Sequence, residues 1–207
     1  MGNWDMTAKN IQTKHIDVVS YNPKWSGIFK EEALKIKQAL CGNCLDVHHV
    51  GSTSVPGLSA KPIIDIMIGI PDILNLDGTI QPLINQGYIY FEKFNSVMPK
   101  RRFYAKLKSI QPPFKTPSIY TESDIIPNEI NDYKLAHIHI FELNSLDFKR
   151  HIAFREFLKE NPKIKEEYQN LKLELSTKKW KDGSEYNAAK NDFIKLHEAK
   201  AIKWYTN

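Results

Sequence analysis

The chain has 207 residues, of which 29 are basic and 24 acidic, so its formal net charge is +5. Its hydrophobic fraction of 42% and charged fraction of 26% are ordinary for a globular protein and leave enough apolar residues for a real core. Two cysteines exclude a disulfide framework, and the longest apolar stretch, residues 62–70, is too short to cross a bilayer.

The first residues, MGNWDMTAKNIQTK, contain no apolar run of the kind that forms a signal peptide. We therefore expect residues 1–14 to be a flexible N-terminus and residues 15–207 to form a single domain. We also expect a cytoplasmic protein with no membrane partner. The mild positive charge suits an anionic small molecule and is weaker evidence for a nucleic-acid partner, because the basic residues are scattered.

The first predicted elements are an extended segment at 15–21 and a helix that Asn22 and Pro23 begin and Gly42 ends. Apolar residues recur along this helix at three- and four-residue steps, which predicts one buried face: Trp25, Ile28, Phe29, Ile36 and Leu40.

Residues 45–50 and 62–70 are β-branched apolar runs typical of central strands. A short helix is predicted at 77–86. Residues 88–93 and 101–108 then alternate as the strands of a hairpin do.

The middle of the chain, residues 109–131, holds four prolines and is predicted to be a long loop. A strand follows at 135–142, and after it the pattern is helical. Ser145 begins one helix, a second places Ile164, Tyr168, Leu171 and Leu175 on one face, and a third runs from about Ser184 to Trp204.

This order predicts an α+β fold with a mixed β-sheet flanked by helices and a helical C-terminal part, residues 145–207.

Gly51 and Ser52 follow the first predicted central strand. Glycine lets the backbone approach a phosphate without a Cβ, and backbone N–H groups with a serine hydroxyl can bind its oxygens. The same pair occurs in plain tight turns.

Asp65 adds a stronger signal, because a carboxylate inside an apolar strand needs a hydrogen-bond donor or a metal ion. Alternation places Asp65 and Met67 on one face of the strand. The alternative to a metal site is a structural role, in which the Asp65 carboxylate accepts hydrogen bonds from loop N–H groups.

Lys61 precedes the second central strand, and Arg102 and Lys106 share one face of a later strand, with Arg101 on the other. Cations that converge on an acidic site are what a polyphosphate needs. An exposed basic strand would give the same pattern.

His137 and His139 alternate with isoleucines, so both imidazoles point to one face of their strand. They form a candidate metal-ligand pair, or a polar pair packed over a helix. Regular alternation places Glu142 on the opposite face. The motif Cys41-Gly-Asn-Cys44 lies at a predicted helix end, where ordinary turn cysteines are commoner than a metal or redox site.

Several segments together resemble the GrpB family, a branch of the nucleotidyltransferase superfamily. The similarity extends over about residues 16–205 and includes VVSYNPKW, HHVGSTSVPGLSAKPIIDI, RRFYAK, HIHIFE, FREFLKENP and YNAAKNDFI. It implies a nucleotidyltransferase-like mixed sheet flanked by helices.

The resemblance also implies a site. In that superfamily a Gly-Ser pair binds the nucleotide phosphates, and carboxylates from two strands hold two metal ions for nucleotidyl transfer. Gly51 and Ser52 match the first feature, and Asp65 matches the first acid of the usual pair. Met67 stands where the second acid would be. His139 lies on the strand that supplies the third acid and is the candidate ligand in its place. A single carboxylate with imidazoles suits Mg²⁺ less well than a softer ion.

We therefore expect an enzyme that transfers a nucleotidyl or phosphoryl group from a nucleoside triphosphate to a small acceptor. Asp65 and His139 are the expected catalytic residues, and Asp65, His137 and His139 the expected ligands of Mg²⁺, Mn²⁺ or Zn²⁺. The expected ligand-binding residues are Gly51, Ser52, Lys61, Arg102, Lys106, Arg155 and Lys190. The last two come from the family-like helical segments, where a solvated helix face is the alternative. The alternatives are a non-catalytic module that binds a nucleotide or another phosphorylated small molecule and, less favoured, RNA binding.

Overall fold

The structure is a computed structural model that describes residues 13–42, 46–110 and 112–206. Within these ranges six strands form a mixed sheet: β1 Asp46–Val50, β2 Ile64–Ile70, β3 Tyr88–Phe91, β4 Arg102–Leu107, β5 Ile119–Tyr120 and β6 Lys134–Glu142. Their order across the sheet is β1-β2-β6-β4-β3-β5. The central strands β2 and β6 are parallel, and β4 runs antiparallel to β6.

The helices are α1 Lys24–Leu40, α2 Ile80–Asn85, α3 Ile130–Tyr133, α4 Leu146–Glu160, α5 Pro162–Ser176, α6 Gly183–Ala189 and α7 Asn191–Thr206. The last four follow the final strand, so the predicted α+β fold with a helical C-terminal part is confirmed. None of the helices in the described ranges combines the length and the apolar character needed to span a membrane.

Local chemistry explains where two of these helices begin. The Asn22 carboxamide oxygen accepts the Lys24 N–H at 3.0 Å before α1, and the Ser145 hydroxyl accepts the Phe148 N–H at 3.3 Å before α4. Side-chain acceptors of this kind satisfy backbone donors that a first helical turn leaves free.

One face of the sheet is closed by α1 and α2. The isoleucines of β2 and β6 that point to this face are buried against Trp25, Ile36 and Leu40 of α1 and Leu83 of α2. Each such aliphatic side chain stabilises the fold by about 1.5–3 kcal/mol when it leaves water. This layer is the main core.

The opposite face carries Asp65, Met67, His137 and His139 and is covered in patches. Phe148 of α4 covers the Met67 end. Residues of β5, α3 and the intervening loops cover β3 and β4, where Tyr120 and Ile130 pack with Phe91 and Phe103. Asp65 and the histidines lie between these two apolar clusters.

Two expectations about secondary structure are wrong. Residues 109–131 are not loop throughout, because β5 forms within them, α3 begins at Ile130, and Phe114 and Ile126 pack on the sheet. The predicted helix from Ser184 to Trp204 is two helices, since the chain tightens at Lys190, whose N–H bonds to the Asn187 carbonyl at 3.2 Å.

Two further expectations concern residues that are only partly described. Residues 1–12 of the predicted flexible N-terminus lie outside the described ranges, whereas Lys14 pairs with Trp180 through two backbone hydrogen bonds of 2.8 and 3.0 Å. Cys44 also lies outside these ranges. Cys41 is exposed, and its thiol donates to the Gln38 carbonyl at 3.1 Å.

Candidate functional site

Asp65 of β2 and His137 and His139 of β6 form a three-residue cluster that could hold a metal ion. Asp65 lies directly opposite His137 in the parallel pair, and Met67 lies opposite His139, so all four side chains share one face. Asp65 Oδ1 is 3.1 Å from His137 Nδ1 and 4.0 Å from His139 Nε2. The three candidate ligand atoms lie within 4.8 Å of one another.

The protonation states of this triad suit a cation. Burial would raise the pKa of Asp65, but the hydrogen bond with His137 and the nearby His139 imidazole outweigh it and hold that pKa well below its usual range. Burial lowers the pKa of both histidines, more than the Asp65 charge raises it. At neutral pH the triad is therefore one carboxylate with two neutral imidazoles, the forms that bind metals.

Packing orients the two imidazoles. The Phe103 ring centroid lies 5.4 Å from that of His137 and 5.1 Å from that of His139. The outer ring nitrogens, His137 Nε2 and His139 Nδ1, are buried and have no hydrogen-bond partner in the described part of the chain. Metal-ligating histidines usually gain affinity from a partner on the outer nitrogen, so this triad would bind an ion less tightly than such a site.

The Gly51-Ser52 turn lies against Asp65. Gly51 has a φ of +68° and a ψ of −174°, a conformation essentially restricted to glycine. A Cβ at this position would overlap the Asp65 carboxylate. Gly51 therefore allows the loop backbone and the carboxylate to approach each other closely.

Helix α5 fixes the rest of this loop. The Lys165 ammonium donates to the Pro56 carbonyl at 3.3 Å, and the Gln169 carboxamide oxygen accepts the Ser59 N–H at 2.9 Å. The Lys172 ammonium donates to the Ser59 carbonyl. These side chains are three or four residues apart, so they lie on one face of the helix and hold the loop at several points.

A pocket of about 260 Å³ joins the triad to Ser52 and three lysines, Lys61, Lys172 and Lys190. None of these lysines forms an ion pair with any residue that the structure describes. Burial lowers the pKa of all three, to about 7 for Lys172 and about 8 for Lys190. The pocket therefore gathers three lysines outside ion-pair distance of any carboxylate that the structure describes, and a bound anion would favour their charged forms.

Lys172 was not among the residues expected from the sequence. It is only 2% exposed, and its ammonium lies 4.6 Å from the centre of the Tyr168 ring. One signal could have found it: Lys172 lies four residues after Tyr168 and three before Leu175, so it stands on the apolar face of its helix.

Arg102 and Lys106 do not join the pocket. They pair in β4 with Ile140 and Ala136, so their side chains point to the face that α1 and α2 cover. Arg102 Nε donates to Asp77 Oδ1 at 2.6 Å, and the Lys106 ammonium donates to the Gln86 carbonyl at 2.6 Å.

Arg155 does not line the triad pocket. Its Nη1 donates to the His49 carbonyl at 2.7 Å, and it lines a separate cavity of about 60 Å³ with Gly51 and Ser52. Arg155 therefore contacts the end of β1 rather than the triad pocket.

Comparison with known proteins identifies relatives for most of the chain. The crystal structure of conserved protein GrpB from Enterococcus faecalis has a TM-score of 0.72 to this chain at 34% identity, covering 92% of this chain and 100% of that one. The UPF0157 protein YqkA of Bacillus subtilis is 27% identical over 92% of this chain, which spans 48% of the relative's length.

A third relative has a named activity. Dephospho-CoA kinase of Mycobacterium leprae is 23% identical over 90% of this chain, and the match covers 46% of the kinase. More than half of the kinase therefore lies outside the match. The sequence model described as GrpB protein matches residues 15–200, so the chain belongs to the GrpB family.

Proposed function

We propose that this protein is a metal-dependent enzyme that transfers a phosphoryl or nucleotidyl group from a phosphorylated small molecule, such as a nucleoside triphosphate. One observation carries the proposal. A single pocket combines a carboxylate and two neutral imidazoles with three lysines that form no ion pair within the described part of the chain.

The triad has enough ligands to hold one divalent ion rather than two. Asp65, His137 and His139 would be its ligands, and two imidazoles with one carboxylate favour Zn²⁺ or Mn²⁺ over Mg²⁺. Met67, where a second carboxylate would be needed, is packed against Phe148. When bound, such an ion polarises phosphoryl oxygens and lowers the pKa of a bound water.

The charge balance supports an anionic ligand. With neutral histidines, Asp65 contributes one negative charge, whereas Lys61, Lys172 and Lys190 contribute up to three positive charges. A di- or triphosphate supplies the missing negative charge. Ser52 and the adjoining backbone would orient its oxygens, and the lysines would neutralise them.

The name of one relative supports this ligand class. One is named a dephospho-CoA kinase, and its match extends over 90% of this chain. That name supports a phosphate-containing ligand. We do not assign the kinase reaction itself to this chain, because the match covers only 46% of the kinase.

The test combines metal content, binding and turnover. Metal-free protein is loaded with Zn²⁺, Mn²⁺ or Mg²⁺. Nucleoside triphosphate binding is then measured by calorimetry, and release of phosphate or pyrophosphate is followed. We expect Asp65→Asn to lower metal affinity and turnover by at least about 100-fold. Asp65 would be a direct ligand, and changes to residues that only contact a ligand already cost about 10–100-fold.

Lys106→Met is the matched control, because this cation lies on the opposite face of the sheet. It should leave binding and turnover unchanged. Binding of nucleotides without turnover under every ion would overturn the enzymatic part of the proposal and favour a non-catalytic module.

A further inference from the structure

A second pocket adjoins the triad pocket at Lys61. This pocket, of about 140 Å³, shares Lys61 and Ile63 with the first. Its other walls come from residues 14–17, from Lys108 just after β4, and from residues 131–132 of α3. Lys61 therefore stands between two cavities that adjoin each other.

Some lysines of this second pocket are paired with a carboxylate and others are not. Lys14 is paired with the Asp132 carboxylate at 2.8 Å. The Lys108 ammonium donates to the Asp132 backbone carbonyl at 2.8 Å, which offers no negative charge. Asp17 is exposed. Among the residues that the structure describes, neither Lys61 nor Lys108 has a carboxylate within ion-pair distance.

The wall between the pockets suits an uncharged connecting group. Ile63 is 6% exposed and presents an apolar surface to both cavities. Lys61 has a flexible four-carbon stem, so its ammonium can approach an anion on either side.

We propose that the two pockets bind the two ends of one elongated ligand with two separate anionic groups. One group binds beside Asp65, His137 and His139, and the other binds between Lys61 and Lys108. The ligand class is a small molecule phosphorylated at one end, with a phosphate or carboxylate at the other. This inference rests on the proposed function, because that function places a phosphate in the first pocket.

A series of bisphosphonates of increasing length tests the inference as a molecular ruler. Alkane bisphosphonates with one to eight methylene groups are titrated calorimetrically into the full chain. We expect affinity to pass through a maximum at an intermediate length, about tenfold or more above methylenebisphosphonate, because the second group then binds at high effective concentration.

Variants assign the gain to the second pocket. Lys108→Met should remove the gain for the longer probes and leave methylenebisphosphonate affinity within about twofold, as expected for loss of one remote charge. Lys108→Arg keeps the charge and should keep the gain. Lys172→Met should weaken binding of every probe, and Lys30→Met, which changes an exposed residue of α1, should weaken none.

The outcomes separate the two proposals. If methylenebisphosphonate binds but affinity falls steadily with length, the second anionic site is overturned and the proposed function stands. If Lys108→Met weakens all probes equally, a separate second site is likewise overturned. If no bisphosphonate binds, both proposals fail.

Discussion

At the level of single residues, Met67 and Asp65 share a face of β2 but have different surroundings. Met67 is buried against Val50, Phe141 and Phe148, whereas the Asp65 side chain is 32% exposed. Strand alternation predicts the shared face. It does not predict that α4 covers one residue and leaves the other open, because Phe148 comes from a distant part of the chain.

Restoring an acid at position 67 should therefore fail to build a two-metal site. We expect Met67→Asp to lower the free energy of unfolding by at least about 3 kcal/mol, because it buries a carboxylate without a partner. Met67→Leu, the matched control, should cost less than about 1.5 kcal/mol. Urea unfolding measures the stability of both variants, and metal analysis counts the ions that each one binds. Two bound ions with unchanged stability would contradict the prediction.

Gly51→Ala should disturb both the fold and the site. The alanine Cβ meets the Asp65 carboxylate, and a non-glycine residue in this conformation costs about 1–3 kcal/mol. Gly57→Ala is the control, because its φ is +78° but its Cβ would meet only the Lys165 ammonium at 3.9 Å. Both should lower stability in urea, and only Gly51→Ala should weaken metal binding. Equal metal affinity in the two variants would show that the contact with Asp65 is unimportant.

At the level of elements, sequence patterns predict which residues of one strand share a face. They place His137 with His139 and Arg102 with Lys106, and the structure agrees. The patterns do not say which face two different strands have in common. That depends on register: Phe103 and Ala105, not Arg102, lie opposite the histidines. The expected convergence of Arg102 and Lys106 on Asp65 fails for this reason.

Helix α5 shows a similar limit to what the sequence patterns predict. Its apolar periodicity is visible in the sequence, but its hydrogen bonds to a loop about 110 residues earlier in the chain are not. Pairing over such sequence separations depends on the tertiary fold rather than on local preference. Lys172 is the exception that a closer reading can find, because a lysine on the apolar face of a helix needs a partner inside the protein.

The contact between α5 and the loop leads to a prediction for Gln169→Ala. The substitution leaves the Ser59 N–H without its acceptor, which costs about 1–3 kcal/mol for a buried donor. We expect faster hydrogen exchange at residues 52–60, and Asn170→Ala, an exposed neighbour, should leave that exchange unchanged. Unchanged exchange in Gln169→Ala would show that the helix does not hold the loop.

At the level of the whole molecule, buried lysines make stability depend on pH. Burial lowers the pKa of Lys172 from 10.5 to about 7, and those of Lys134 and Lys190 from 10.5 to about 8. Above these values the folded lysines are neutral while the unfolded chain still binds their protons. The free energy of unfolding should therefore rise between about pH 7 and pH 9, and fall as the pH returns toward 7.

Lys172→Met tests this dependence, with urea unfolding measured at several pH values. One lysine contributes at most about 1.4 kcal/mol per pH unit, so the variant should show a shallower rise than the parent protein between about pH 7 and pH 9. The lost hydrogen bond to the Ser59 carbonyl shifts both ends of the curve equally, whereas loss of the titration changes its slope. Parallel curves would therefore show that Lys172 keeps its proton in the folded protein. Excess pyrophosphate should also flatten the parent curve, because a bound anion favours the charged lysines and removes the advantage of losing their protons.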